Sequence, residues 1–161
     1  MTPPRDFEKN ILMSLDFGNR ILNHEIKFKK QIDFPTIPKS ELMKIFKELK
    51  INIRGGTGGH YSFFREYSNH AFECHFHITK NTVFTYINLY NNGVLDREAN
   101  LGHYSYMLNF IPYNVELAKE VSNTRGINSR EEMKEYLNGL IDLFNLFVDE
   151  YIKEIEAGNI P

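Results

Sequence analysis

Two histidines stand two residues apart in the stretch FECHFHITKN, residues 72–81. Imidazole nitrogens bind transition metals, donate and accept hydrogen bonds, and titrate near neutral pH. Alternate residues of a β-strand share a face, so His75 and His77 are expected to lie on one face together with Glu73. This pattern favours either a metal site or a hydrogen-bonding strand face, and the neighbouring strands must decide between them.

The neighbouring strands are predicted from β-rich sequence over residues 60–90, with turns at 68–70 and 80–81. A two-residue turn at 80–81 sets the pairing of the second and third strands. The pairs expected from it are Glu73 with Asn88, His75 with Tyr86, and His77 with Phe84. A three-residue turn at 68–70 sets the pairing of the first and second strands. The pairs expected from it are Tyr61 with His77, Phe63 with His75, and Arg65 with Glu73.

These registers give the two faces of the predicted sheet different characters. One face is apolar and is expected to bury Cys74 and Phe76, so Cys74 is a poor candidate for a nucleophile. The other face is aromatic with polar tips, which is unusual for strands that meet only water. The candidate binding residues on it are Tyr61, Phe63, Arg65, Glu73, His75, His77, Tyr86 and Asn88.

A metal site on this face would use His75 and His77, with His103 from a later strand as the third ligand. Zinc needs its ligands to converge within about 2.0–2.2 Å and needs supporting partners behind them. Arg65 is also expected to compete for Glu73. Neither convergence nor support can be read from the sequence, so we expect no metal and no cofactor.

The glycine-rich run RGGTGGH, residues 54–60, suggests a phosphate-binding loop. Such a loop needs a Lys-Ser/Thr ending and a following helix, whose N-terminus meets the phosphate. Here a predicted strand follows, so the run is expected to be a flexible connection between two strands.

Charge is distributed unevenly along the chain. Residues 20–54 contain nine basic and four acidic side chains, whereas residues 92–161 contain six basic and twelve acidic ones. The basic set is mostly lysine, which is poor at bidentate recognition of bases. Nucleic-acid binding through Lys27, Lys29, Lys30 and Arg54 is therefore the least favoured of the functions considered.

The composition fits one globular domain over residues 1–161, of which 42% are apolar. The single cysteine excludes an intramolecular disulfide and fits a reducing compartment. No signal peptide or membrane-spanning segment is expected, so the protein is predicted to be cytoplasmic and not associated with a membrane.

The remaining elements are predicted from periodicity and capping residues. Helices are expected over residues 6–22, 40–49, 114–123 and 129–157, the last opened by a Ser129–Glu132 capping box. Further strands are expected over residues 26–34, 51–54 and 103–111, and a turn at 91–93. The chain is therefore predicted to be an α+β fold, in which N-terminal, central and long C-terminal helices pack on a mainly antiparallel sheet of five to six strands.

We expect a non-enzymatic binding protein of the inhibitor, immunity or adaptor type, which uses the aromatic face to bind a protein partner. The alternative is a small-molecule-binding or metal-assisted enzyme that uses His75, His77 and Glu73 on the same face. The partner, the ligand and the oligomeric state cannot be read from the sequence.

Overall fold

The computed structural model describes residues 3–28, 37–79, 82–96, 101–122, 127 and 129–160. The helices are α1 (Asp6–Ser14), α2 (Phe17–Glu25), α3 (Lys39–Glu48), α4 (Tyr104–Met107), α5 (Val115–Ser122) and α6 (Arg130–Glu156). The strands are β1 (Arg54–Gly55), β2 (His60–Tyr67), β3 (His70–Ile78), β4 (Val83–Asn91) and β5 (Val94–Leu95). They form one antiparallel sheet in chain order. The predicted α+β class, with a mainly antiparallel sheet and a long C-terminal helix, is confirmed.

Helices α3 and α6 pack on the same face of the sheet, which we call the helix-covered face. The ring of Phe144 on α6 meets Phe63 edge to face at 5.1 Å between centroids, and Phe46 on α3 lies 5.7 Å from Phe76. Cys74 and Phe76 are fully buried there, as predicted. Within the described residues, no helix is long and apolar enough to cross a bilayer.

The start of α5 and both ends of α6 follow from their capping residues. The Ser129 side chain accepts a hydrogen bond from the Glu132 amide at 3.1 Å, and Asn114 Oδ1 accepts one from the Leu117 amide at 3.1 Å. The chain leaves α6 through Gly158, whose φ of 73° suits a residue without a Cβ. The predicted start of α5 and both predicted ends of α6 are confirmed, whereas the predicted end of α5 at residue 123 lies outside the described residues.

The N-terminal helix differs from its prediction, because the single helix expected over residues 6–22 is divided into α1 and α2. Asp16 adopts a left-handed conformation with φ 51° between them. Its Oδ1 accepts a hydrogen bond from Asn19 Nδ2 at 3.0 Å. Aspartate tolerates this conformation better than most residues, and the apolar periodicity does not register the break.

Two predicted strands are wrong in the described residues. The strand expected over residues 26–34 begins instead as a turn after α2, where the Phe28 amide donates to the Glu25 carbonyl at 3.2 Å; residues 29–34 lie outside the described part. The strand expected over 103–111 is limited to an isolated bridge between His103 and Tyr86, followed by α4. His103 caps α4 by accepting the Tyr106 amide at 3.0 Å, so a helical turn replaces extended backbone.

The edge strand before the glycine-rich run is shorter and later than predicted. Residues 51–53 are not in a strand, and β1 contains only Arg54 and Gly55, which pair with Ser62 and Tyr61 of β2.

Candidate functional site

Strands β3 and β4 pair in the register that the sequence predicts. His77 lies opposite Phe84, His75 opposite Tyr86, and Glu73 opposite Asn88. The turn between the strands is closed by the Thr79 amide, which donates to the Thr82 carbonyl at 2.8 Å.

Strand β2 is displaced by one residue from its predicted register. The turn before β3 has two residues rather than three, because Ser68 adopts a φ of 55° and Tyr67 pairs directly with His70. A one-residue shift moves every side chain of a strand to the opposite face. Tyr61 and Phe63 are therefore on the helix-covered face, only 2% and 6% exposed, and their predicted place beside the histidines is wrong.

Arg65 moves with them to the helix-covered face, so its predicted pairing with Glu73 is also wrong. It lies opposite Phe72, and its guanidinium donates to Asp149 at 2.7 Å and to the Asn145 side chain at 3.2 Å. Arg65 thus joins the sheet to α6 and does not compete for Glu73.

The opposite side of the sheet, which we call the outer face, holds the candidate site. The shift of β2 brings to it four residues that the sequence-based set did not include: His60, Ser62, Phe64 and Glu66. The outer-face residues of β2, β3 and β4 are His60, Ser62, Phe64, Glu66, Ala71, Glu73, His75, His77, Phe84, Tyr86, Asn88 and Tyr90, and Arg54 of β1 lies beside Ser62. The signal that could have placed β2 correctly is Ser68-Asn69, since two-residue hairpin loops favour residues that tolerate positive φ.

Glu73 is the buried anchor of the outer face. Its Oε1 accepts a hydrogen bond from Ser62 Oγ at 2.6 Å, and its Oε2 accepts one each from Asn88 Nδ2 and Tyr90 OH, both at 2.9 Å. Burial alone would raise the pKa of this carboxyl, but the donors around it outweigh burial and lower the pKa to about 2. Glu73 is therefore an ionised carboxylate that only accepts hydrogen bonds.

The ionised Glu73 fixes the proton positions of its neighbours. The single hydroxyl proton of Ser62 is donated to Glu73, so the 2.8 Å contact between Ser62 Oγ and His75 Nδ1 requires the proton to be on Nδ1. In neutral His75, Nε2 is then an acceptor. It lies 3.0 Å from Nδ1 of His60, which must be the donor. We call the series His60–His75–Ser62–Glu73 the hydrogen-bond chain. Each donor in it lies on the His60 side of its acceptor, so every hydrogen bond points towards Glu73.

His60 forms the exposed end of the hydrogen-bond chain. Its ring stacks on that of His77, with 4.1 Å between centroids and 9° between planes. Desolvation by the neighbouring rings lowers the pKa of His60, and the charges of His77 and His75 lower it further. Because Nδ1 of His60 donates to His75, the lone pair on its Nε2 is left for contacts outside the hydrogen-bond chain.

The three histidines considered as metal ligands from the sequence, His75, His77 and His103, do not converge on one point. The ring of Tyr86 has close contacts with both His75 and His103, at 5.8 and 5.7 Å between centroids, and so separates them. His103 Nδ1 also accepts the Tyr106 amide. In the described parts of the chain, no group of three or more His, Cys, Asp and Glu side chains is placed to hold a metal ion.

The glycine-rich run positions His60. Gly56 closes a tight turn by donating its amide to the His60 carbonyl at 2.6 Å. A Cβ on Gly59 would lie 2.3 Å from the Ile78 carbonyl oxygen, and one on Gly55 would lie 2.5 Å from the His60 carbonyl oxygen. The glycines thus permit close backbone approach, which sets His60 opposite His77.

The basic residues considered for nucleic acid are divided between two places. Lys27 lies in the turn after α2 and Arg54 on β1, whereas Lys29 and Lys30 lie outside the described residues. The Arg54 guanidinium lies over the Phe64 ring, 5.3 Å from its centroid, at the border of the outer face.

No protein-family model, curated protein or solved structure matches this chain.

Proposed function

We propose that this chain is a non-enzymatic binding protein of the inhibitor, immunity or adaptor type, which recognises a protein partner through the outer face. The observation that carries the proposal is the contrast between a buried, fully paired Glu73 and the half-exposed aromatic and imidazole rings around it. Rings with polar tips supply large contact area at low entropy cost, and interaction hot spots are rich in them.

Preorganisation supports the same function. The hydrogen-bond chain from His60 to Glu73 and the stacking of His60 on His77 hold these side chains in one arrangement. Side chains that are already ordered lose less rotamer freedom on binding, so more of the contact energy appears as affinity.

Site-specific photo-crosslinking tests the proposed function. A benzoylphenylalanine is placed at Phe84 on the outer face or, as a matched control, at Tyr113 away from it; the two positions are 36% and 39% exposed. In lysate of the cells that naturally produce the protein, position 84 is expected to give a discrete adduct that position 113 does not give. Excess wild-type protein should compete for the adduct, and the Tyr86→Ala variant should compete less well. Equal labelling from both positions, or none from position 84, would contradict the proposal.

The hydrogen-bond chain also supports a second candidate, a small-molecule-binding or metal-assisted enzyme that uses Glu73, His75 and His77 with His60. A lone pair at His60 Nε2, backed by a carboxylate through Ser62 and His75, is the arrangement of a proton acceptor. Elemental analysis of tag-free protein separates the candidates. Stoichiometric transition metal that disappears in the His75→Gln/His77→Gln variant would favour the enzyme.

A further inference from the structure

The hydrogen-bond chain can take up one proton without breaking any of its bonds. A proton added to Nε2 of His60 leaves its Nδ1–H donating to His75, His75 donating to Ser62, and Ser62 donating to Glu73. The result is an outward N–H on a cationic ring at the exposed end and a fixed negative charge at the buried end. A charge-assisted donor of this kind is suited to a carboxylate.

The groups that face His60 oppose this protonation in the free protein. His77 stacks on it from β3, and His75 is in contact with its Nδ1. Arg54 on β1 pairs with Ser62 on the same face, but its guanidinium lies over the Phe64 ring, 5.3 Å from the centroid and farther along β2 from His60. Burial and the contact with Glu73 raise the pKa of Tyr90 on β4 to about 12, and burial lowers the pKa of His103, so neither adds charge at neutral pH.

Glu73 offsets part of this repulsion at His75, because its Oε1 lies 3.6 Å from the His75 Nδ1. Both of its oxygens are occupied by donors from Ser62, Asn88 and Tyr90, and it is 8% exposed. The buried Glu73 thus acts at His75, and an anionic group brought to the exposed end by another molecule would relieve the repulsion that His77 and His75 exert on a protonated His60.

We propose that the outer face binds a carboxylate side chain of its protein partner at His60 Nε2, with uptake of one proton by the imidazole cluster. This inference rests on the proposed function and specifies the partner chemistry: an acidic segment, whose aspartate or glutamate accepts the outward N–H. One carboxylate accounts for the one added proton. The Arg54 guanidinium, over the Phe64 ring farther along the same face, is available to a second acidic residue of the segment. Because binding and protonation favour each other, affinity must rise as pH falls towards the pKa of His60.

The test uses a defined probe, the peptide acetyl-Glu-Glu-Glu-amide, with acetyl-Gln-Gln-Gln-amide as the uncharged control. Histidine ring resonances are followed by NMR during pH titration with and without each peptide. The glutamate peptide is expected to raise the pKa of His60, and its affinity should be about tenfold or more greater at pH 5.5 than at pH 7.5. The glutamine peptide should do neither.

Two variants locate the effect. His60→Gln keeps a polar side chain at an exposed position and should abolish the pH dependence, whereas His103→Gln removes a histidine outside the hydrogen-bond chain and should preserve it. The inference is overturned if the glutamine peptide binds equally, if affinity does not change with pH, or if the pH dependence persists in His60→Gln. A position-84 adduct that forms equally at both pH values would overturn the carboxylate inference and leave the proposed function standing.

Discussion

The two faces of β3 are built from alternate residues of one short strand, yet they are held by different forces. On the helix-covered face, Phe72, Cys74 and Phe76 are at most 1% exposed and make apolar contacts with the helices. On the outer face, Glu73 and His75 are held by directional hydrogen bonds to neighbouring strands. Apolar burial depends on filling volume, whereas the hydrogen-bond chain depends on where each proton lies. Apolar burial on the helix-covered face should therefore control stability, and the hydrogen-bond chain on the outer face should respond to pH.

The comparison is tested most strongly by removing one phenylalanine from each face. Phe76→Ala should lower the free energy of unfolding by about 3–5 kcal/mol, because it leaves a cavity in the core. Phe84→Ala, at an outer-face position that is 36% exposed, should cost less than about 1 kcal/mol. Urea denaturation measures both values. Similar losses from the two variants would show that the faces do not divide stability as described.

A buried histidine among the helices provides a pH-dependent stability test away from the outer face. His24 on α2 is 8% exposed, and a Cβ on Gly139 of α6 would lie 2.2 Å from its Cε1. Burial lowers the pKa of His24 to about 4. The unfolded chain therefore binds a proton first as pH falls below the unperturbed pKa of about 6.5.

Stability should decrease by about 3 kcal/mol between pH 6.5 and pH 4 as a result of this histidine. Urea denaturation at half-unit pH steps checks the slope, with His24→Gln as the variant in which this contribution is absent. If His24→Gln keeps the full slope over this window, another group is responsible for it.

The contribution of Glu73 to stability should change with pH over a more acidic range than that of His24. Its folded-state pKa of about 2 lies below the unfolded value, so its contribution is present above about pH 4.5 and is lost as pH falls through the folded value. Glu73→Gln should cost about 1.5–3 kcal/mol at pH 7, because hydrogen bonds to a charged acceptor are replaced. It should also flatten the stability profile below pH 4.5. A variant as stable as wild type at pH 7 would contradict the anchoring role of this carboxylate.

The smallest effect is expected in the glycine-rich run. Gly58 has a φ of 60°, and only the His60 ring lies within 4 Å of a Cβ placed there. Asparagine tolerates this conformation, so Gly58→Asn should change the free energy of unfolding by less than about 1 kcal/mol. Gly59→Asn is the matched control and should cost clearly more, since its Cβ would overlap the Ile78 carbonyl. Equal losses would show that the run is a loose connection, as the sequence alone suggested.

The predictable and unpredictable parts of this fold differ in what fixes them. Helix α6 could be bounded from Ser129 and Gly158, because capping is encoded within a few neighbouring residues. The pairing of β3 with β4 followed from alternation and a correctly counted turn. The register of β2 depended on one residue in the turn at Ser68, and a single miscount exchanged its two faces.

The candidate site contains residues from the correctly predicted β3–β4 pair and from the wrongly placed β2. Glu73, His75, Tyr86 and Asn88 were placed on the correct face, with the expected partners between β3 and β4. The contact of His60 with His75 and the Ser62 link between His75 and Glu73 were missed, since they appear only once β2 is in register. No periodicity or motif marks Ser62, because a single hydroxyl gains its role only from the side chains on either side of it.

The hydrogen-bond chain also gives the outer face two chemically different ends, so a docked molecule has a preferred direction. One end is an exposed imidazole, whereas the other is a carboxylate enclosed by Asn88 and the Tyr90 hydroxyl. A molecule laid across the sheet and the same molecule turned through half a circle would meet different groups in reverse order. The surface therefore distinguishes the two orientations by chemistry alone, before any difference in shape is considered.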